Sequence, residues 1–232
     1  MLIDMHAHTS GISHCCKKDL FFILDSTKKV GLDGVVLTNH YTKRYLDNIE
    51  VEDFIEKYIE EYNACADYGR QIGCKVFFGI EVTMEFDTRI HLLIYGVSFD
   101  FLRSNPYLFD MDLETLYTLV HENGGILIQA HPFRHGTTIL NTDYLDGLEI
   151  NCHPKYGSTY SNEILAVAKE KELIVTSGAD YHADVPYRPY CGNYFLDNYT
   201  SIEELVAFLR FRNGKLCVQE LNEEEHYDCK VM

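Results

Sequence analysis

Five short apolar runs in this chain each lead to a histidine or a carboxylate. Residues 2–5 run into His6, residues 34–37 into Thr38, Asn39 and His40, and residues 76–80 into Glu81. Residues 126–128 lead through Gln129 and Ala130 to His131, and residues 173–175 lead on to Gly178, Ala179 and Asp180. Continuous aliphatic runs of this length read as strands buried on both faces. Helical periodicity fills the stretches between them: 19–30, 51–72 stopped by Gly73, 112–123 stopped by Gly124, and 161–171. A later helix opens at Ser201 with a capping box to Glu204, and residues 215–218 form a last extended piece. Strand–helix alternation with right-handed crossovers predicts a parallel sheet that is closed or nearly closed. Ligand-type residues that keep choosing the C-terminal end of a strand predict a site on that rim, where such barrels build theirs. One further strand, 90–97, carries His91 near its start.

Composition narrows the class. The 232 residues are 46% hydrophobic and 24% charged, ordinary figures for one soluble domain, and no linker or repeat divides 1–232. The 20 basic and 36 acidic residues give a net charge of −16. That balance speaks against extended nucleic acid or an anionic membrane as partner. A small phosphorylated substrate remains compatible, because a metal cluster supplies local positive charge. The eight cysteines form no CxxC pair, and the N-terminal Met-Leu-Ile-Asp-Met-His has no basic segment before an apolar stretch. No window approaches the roughly 18 apolar residues of a membrane span. A cytoplasmic protein with free thiols is the expectation.

His6-Ala7-His8 places two imidazoles on one side of an extended segment, because side chains at i and i+2 share a face. Asp180-Tyr181-His182 repeats the spacing with a carboxylate and an imidazole. His40, His91 and His131 add nitrogens, Glu81 adds a carboxylate able to bridge two ions, and His14 brings the candidates to nine. Two or three four- or five-coordinate metals need about that many protein donors. Cys15 and Cys16 beside His14 read as small loop residues, with an extra soft ligand as the alternative.

In order along the chain, His6-Ala7-His8-Thr9, Leu37-Thr38-Asn39-His40, Gly79-Ile80-Glu81, His91, Ala130-His131-Pro132 and Gly178-Ala179-Asp180-Tyr181-His182 resemble the motifs of the PHP (polymerase and histidinol phosphatase) superfamily. The resemblance runs from residue 6 to residue 182. It implies a distorted (βα)7 TIM-like barrel with a trinuclear centre that hydrolyses phosphoesters. One ion would take His6, His8, Glu81 and Asp180; a second would share Glu81 and add His91 and His131; a third would take His14, His40 and His182. The family usually has an aspartate where this chain has Asn39, and often a serine where Ala179 stands. Zinc, manganese and iron all suit such a mixed site, and the ions would lower the pKa of a bound water to roughly 7.

Arg134, just beyond His131, is a candidate fork for two phosphate oxygens. His153, after the apolar segment 148–150, is a candidate to protonate the leaving oxygen or to contact substrate, with a backbone-bonded rim histidine as the alternative. Arg188 is a weaker second clamp. His121 and His226 read as solvated, and Tyr181, Tyr187, Tyr190 and Tyr194 as pocket wall or packing. The expected activity is hydrolysis of a small phosphomonoester, histidinol phosphate or a nucleotide-like compound. A phosphodiesterase or exonuclease acting on short nucleic acid is one alternative. A metal-dependent amidohydrolase is another, although no lysine stands at a strand end to be the carboxylated bridge such enzymes often use.

Overall fold

Strand β1 (Leu2–Ala7) lies at one side of a seam that nearly closes a barrel. In a computed structural model, which describes residues 1–153, 160–186, 191–211, 217–221 and 227–231, the strands that follow are β2 (Gly34–Leu37), β3 (His40–Tyr41), β4 (Lys75–Thr83), β5 (His91–Tyr95), β6 (Ile126–Gln129), β7 (Gly147–Asn151), β8 (Ile174–Gly178) and β9 (Asn193–Tyr194). Helices α1 (Leu20–Lys29), α2 (Val51–Ile72), α3 (Phe99–Ser104), α4 (Leu113–Glu122), α5 (Ser161–Glu170) and α6 (Ile202–Phe211) connect or follow them. A final antiparallel pair, β10 (Cys217–Leu221) and β11 (Tyr227–Val231), forms a separate sheet.

Helix ends fall where side chains can satisfy the first unpaired N–H groups. Asp19 and Asp112 accept from Phe22 and Thr115, and the Ser201–Glu204 box closes in both directions. Gly73 stops α2 in the left-handed conformation, at φ 68°, where a Cβ is unfavourable.

The sheet order is β8-β7-β6-β5-β4-β2-β1-β9. The sheet is that of a nearly closed α/β barrel, with one departure from an all-parallel arrangement among β1–β8: β5 runs antiparallel to both β4 and β6. The connection 84–90 is too short for a crossover helix, so the chain has to return in the opposite sense. This reversal brings the start of β5, and His91 with it, to the rim where its neighbours end.

Two apolar clusters sandwich the strands. Phe78, Ile80, Ile94, Leu127, Leu148 and Val175 join the buried faces of α2 and α4, while Ile3, Met5, Val36, Leu93 and Ile128 join that of α6. Burial on both faces is why these strands read as continuous apolar runs.

At the seam, Ala7 bridges Tyr181 in parallel sense. Gly178 is required there, because a Cβ would lie 2.4 Å from the His6 Cβ and 2.7 Å from its backbone nitrogen. Gly178→Ala is therefore expected to destabilise the protein by about 1–3 kcal/mol, lowering the urea midpoint at constant slope. An unchanged midpoint would show that the seam has room to spare.

Candidate metal centre

Glu81 ends fully buried at the middle of the barrel rim. His6 Nε2, His91 Nδ1 and His131 Nε2 lie 3.2, 3.0 and 3.2 Å from its Oε1. His8 Nε2 and His40 Nδ1 lie 3.4 and 2.6 Å from its Oε2. His40 reaches this place because β2 breaks at Thr38 and Asn39 and the chain resumes pairing as β3, with His40 opposite Glu81 on β4. The two imidazoles of the HxH segment share a face as expected, and both turn Nε2 toward Asp180 Oδ1, at 3.4 and 3.1 Å.

The ligand atoms fall into three overlapping groups: His6, His8, Glu81 and Asp180; His40, Glu81 and His91; and His8, His40 and His182. Nε2 of His6 and His8, Nδ1 of His40, Oε2 of Glu81 and Oδ1 of Asp180 are buried and make no hydrogen bond of acceptable geometry. Buried polar atoms left this way are costly unless something else satisfies them. A divalent cation coordinated by nitrogen and oxygen donors fits these atoms.

His14, expected as a ligand, lies outside the groups. It is exposed, its ring lies tilted against Tyr45 with centroids 4.1 Å apart, and its backbone N–H donates to the Tyr45 hydroxyl. The next residue in its loop, Cys15, is exposed, and His182 and His40 act on its thiol electrostatically. Burial raises that thiol, but the two imidazoles outweigh burial and bring it down to about 5.

A surrounding set of polar groups decides which ring nitrogen of each histidine faces the centre. His6 Nδ1 donates to Glu149 Oε1 at 2.8 Å, so Nε2 carries the lone pair. The Ser13 hydroxyl donates to Asn39 at 2.8 Å and accepts from His8 Nδ1 at 3.0 Å, with the same outcome for His8. Asn39 therefore acts on His8 through Ser13. His182 Nδ1 donates to the Asp180 carbonyl at 2.8 Å. Glu149 Oε2 accepts from the His131 backbone N–H at 2.9 Å. Asp4 Oδ1 accepts the backbone N–H groups of His6 and Ala179, both at 2.9 Å. His131 and Asp180 have φ of 31° and 50°, a region costing roughly 1–3 kcal/mol for such residues; bonds to or beside these positions hold them there. The sequence reading passed over Glu149 and Asp4, although each is a carboxylate inside an otherwise apolar strand.

Charge is concentrated here. Burial raises the Glu81 carboxyl, but His40, His6 and His91 outweigh it and hold it well below the usual carboxylate range. Burial likewise raises Asp180, and His6 and Arg134 override it. Burial lowers His40, yet Glu81 lifts it to about 10. Burial and the neighbouring Arg134 pull His131 down to about 4.

Arg134 donates to Asp180 Oδ2 and, at 2.6 Å, to Asn151. It lines a cavity of about 210 Å³ together with His131, Phe133, Glu149, Asn151 and Tyr160. His153 is buried, accepts a place at the rim through its N–H to Asn151, and turns Nε2 toward Asp184 at 3.3 Å. His121 is exposed, as expected, and its Nε2 lies 2.9 Å from Asp146. Tyr181 is buried and Tyr194 is exposed. Arg188, Tyr187, Tyr190 and His226 lie outside the described residues.

No protein-family model and no curated protein matches the chain. Solved structures share its fold. PsfC from Pseudomonas syringae gives a TM-score of 0.65 at 18% identity, over 89% of this chain and 87% of that one. A two-domain protein from Bacteroides vulgatus containing a predicted PHP-like metal-dependent phosphoesterase gives 0.57 at 18% identity, over 78% of this chain and 52% of that one. The lesion-specific endonuclease PfuEndoQ from Pyrococcus furiosus gives 0.59 at 16% identity, over 93% of this chain and 57% of that one. This chain thus spans little more than half the length of the last two.

Glu149→Gln tests the outer support. The amide replaces an acceptor with a donor opposite the His131 N–H or the His6 ring, and metal affinity is expected to fall about 10–100-fold. Competition with a chromophoric chelator measures it, and wild-type affinity would remove Glu149 from this role.

Proposed function

We propose that this chain is a metal-dependent phosphoesterase of PHP type that hydrolyses a small phosphomonoester. The observation that carries the reading is the group of buried, unpartnered nitrogen and oxygen atoms around Glu81 and Asp180, next to an arginine-lined cavity. His6, His8, Glu81 and Asp180 would hold one ion, and Glu81 with His91, His131 and His40 a second. Two or three divalent ions such as zinc, manganese or iron suit these donors and would supply Lewis-acid stabilisation of the phosphoryl oxygens and activation of water.

The chain's own residues do the rest. Glu149 and Ser13 keep the His6 and His8 lone pairs directed inward. Arg134 sits where one edge holds Asp180 and the guanidinium borders the cavity, a placement suited to a phosphate oxygen. Phe133 and Tyr160, with centroids 4.9 Å apart, form an aromatic side of the cavity. Burial pulls His153 below its ordinary range, so near neutral pH its ring is uncharged and suits substrate contact better than proton donation.

A cavity of about 210 Å³ is below the usual 300–1,000 Å³ of sites for drug-sized ligands. Together with the net charge of −16, this favours a compact monoester such as histidinol phosphate or a nucleotide over a polymer. No described helix is long and apolar enough to cross a membrane. A single domain at work in the reducing cytoplasm suits thiols such as Cys16, Cys65 and Cys74.

The test compares p-nitrophenyl phosphate with its bis-ester on stripped protein reloaded with manganese or zinc. Monoester cleavage that requires metal and disappears in His131→Ala is expected. Preference for the bis-ester would put a phosphodiesterase or nuclease in its place, and no cleavage with metal bound would reopen the amidohydrolase reading. Arg134→Ala is expected to raise KM about tenfold or more, the scale of a charged hydrogen-bond pair. An unchanged KM would leave Arg134 serving Asp180 alone.

A further inference from the structure

Strand β7 carries two polar side chains on one face, Glu149 and Asn151, because residues at i and i+2 point the same way. Leu148 and Ile150, on the other face, pack in the apolar core. Glu149 supports the histidines of the centre. Asn151, one step nearer the rim, is buried and lines the cavity beside Arg134. Its amide is engaged at both ends. Oδ1 accepts from Arg134 Nη2 at 2.6 Å and from the His153 backbone N–H at 3.0 Å, and Nδ2 donates to Glu149 Oε2 at 3.2 Å. Two donors on one side and a carboxylate on the other leave a single orientation for that amide.

Arg134 depends on such support. It stands between Phe133 and His135, whose φ are 71° and 55°, in a short turn whose backbone departs from helical geometry at His135. Residues with a Cβ persist in that region only where their surroundings hold them. The backbone alone therefore does not fix the guanidinium, and its two terminal nitrogens are held by Asp180 and Asn151. These partners differ in charge. Asp180 is a carboxylate that also faces the His6 and His8 nitrogens, whereas Asn151 is neutral. An aspartate in its place would set a second carboxylate beside Glu149 and neutralise the arginine from within the protein. An apolar residue would remove the acceptor that Arg134 and the His153 N–H share.

We propose that Asn151 is the positioning residue of the phosphate clamp: it fixes the Arg134 guanidinium at the cavity and, being neutral, leaves the charge of the arginine to the substrate. The assignment rests on the phosphoesterase reading above, and the experiment separates the two. Metal-loaded Asn151→Ala, Asn151→Asp, Arg134→Ala and the double variant Asn151→Ala/Arg134→Ala are compared with wild type. KM and kcat are measured on p-nitrophenyl phosphate, and bound metal by elemental analysis. Asn151→Ala is expected to raise KM about fivefold or more with little change in kcat, and to keep its metal. The double variant is expected to match Arg134→Ala, since the asparagine acts through the arginine. Asn151→Asp, which keeps the size of the side chain and an acceptor for Arg134, is expected to raise KM as well. Circular dichroism verifies the fold of each variant, and the isosteric Asn151→Asp carries the test if the alanine variant does not fold. A wild-type KM in Asn151→Asp or Asn151→Ala, an equal rise in KM with and without Arg134, or a loss of metal in Asn151→Ala would overturn the assignment while wild-type turnover leaves the phosphoesterase reading standing. A metal-loaded wild type that neither cleaves the monoester nor binds inorganic phosphate by calorimetry would overturn both together.

Discussion

The buried carboxylate of Glu81 is the point on which the rim is organised. Five imidazoles face its two oxygens within 3.4 Å. An isolated carboxylate in that place would be neutralised by burial, and a cluster of imidazoles without it would repel as each was protonated. The two halves of the arrangement make each other tolerable, and cations placed among them would satisfy the atoms still unpartnered. The barrel supplies Glu81 at the end of its longest strand, next to the reversed strand that brings His91 and beside the short β3 that brings His40.

Around this centre a second set of polar groups carries information that the ligands lack. Glu149 and Ser13 select ring nitrogens, and Asp4 ties the start of β1 to the end of β8 across the seam. The same seam tolerates no side chain at Gly178. The site and the barrel closure are therefore one structural problem: the contacts that bring β1 to β8 also bring His6 and His8 to Asp180. Arg134 extends the arrangement outward, joining Asp180 to Asn151 and bordering the cavity in which a substrate would sit.

The order of strands and helices was legible because local rules govern it. Apolar runs buried on both faces, Asp19 and Asp112 as caps and Gly73 as a stop each act over a few residues, and the elements lie close to where those signals put them. The reversal of β5 was not read, because a buried strand has the same apolar pattern in either direction. Only the shortness of 84–90 carried the hint. Glu149 and Asp4 were visible as charges inside strands, but their targets lie at sequence distances that no periodicity encodes.

The placement of His14 is the plainest case. It is a metal-ligand type one short loop after His8, and nothing in that spacing decides whether it turns toward the centre. Tyr45, distant in sequence, holds it on the outside. The sequence by itself determined the alternating α/β architecture, the rim on which polar residues gather and most of the residue types gathered there, since each follows from burial and periodicity along the chain. The tertiary structure alone decided strand direction, ring-nitrogen choice and the outward placement of His14, because those depend on partners brought together only when the barrel closes.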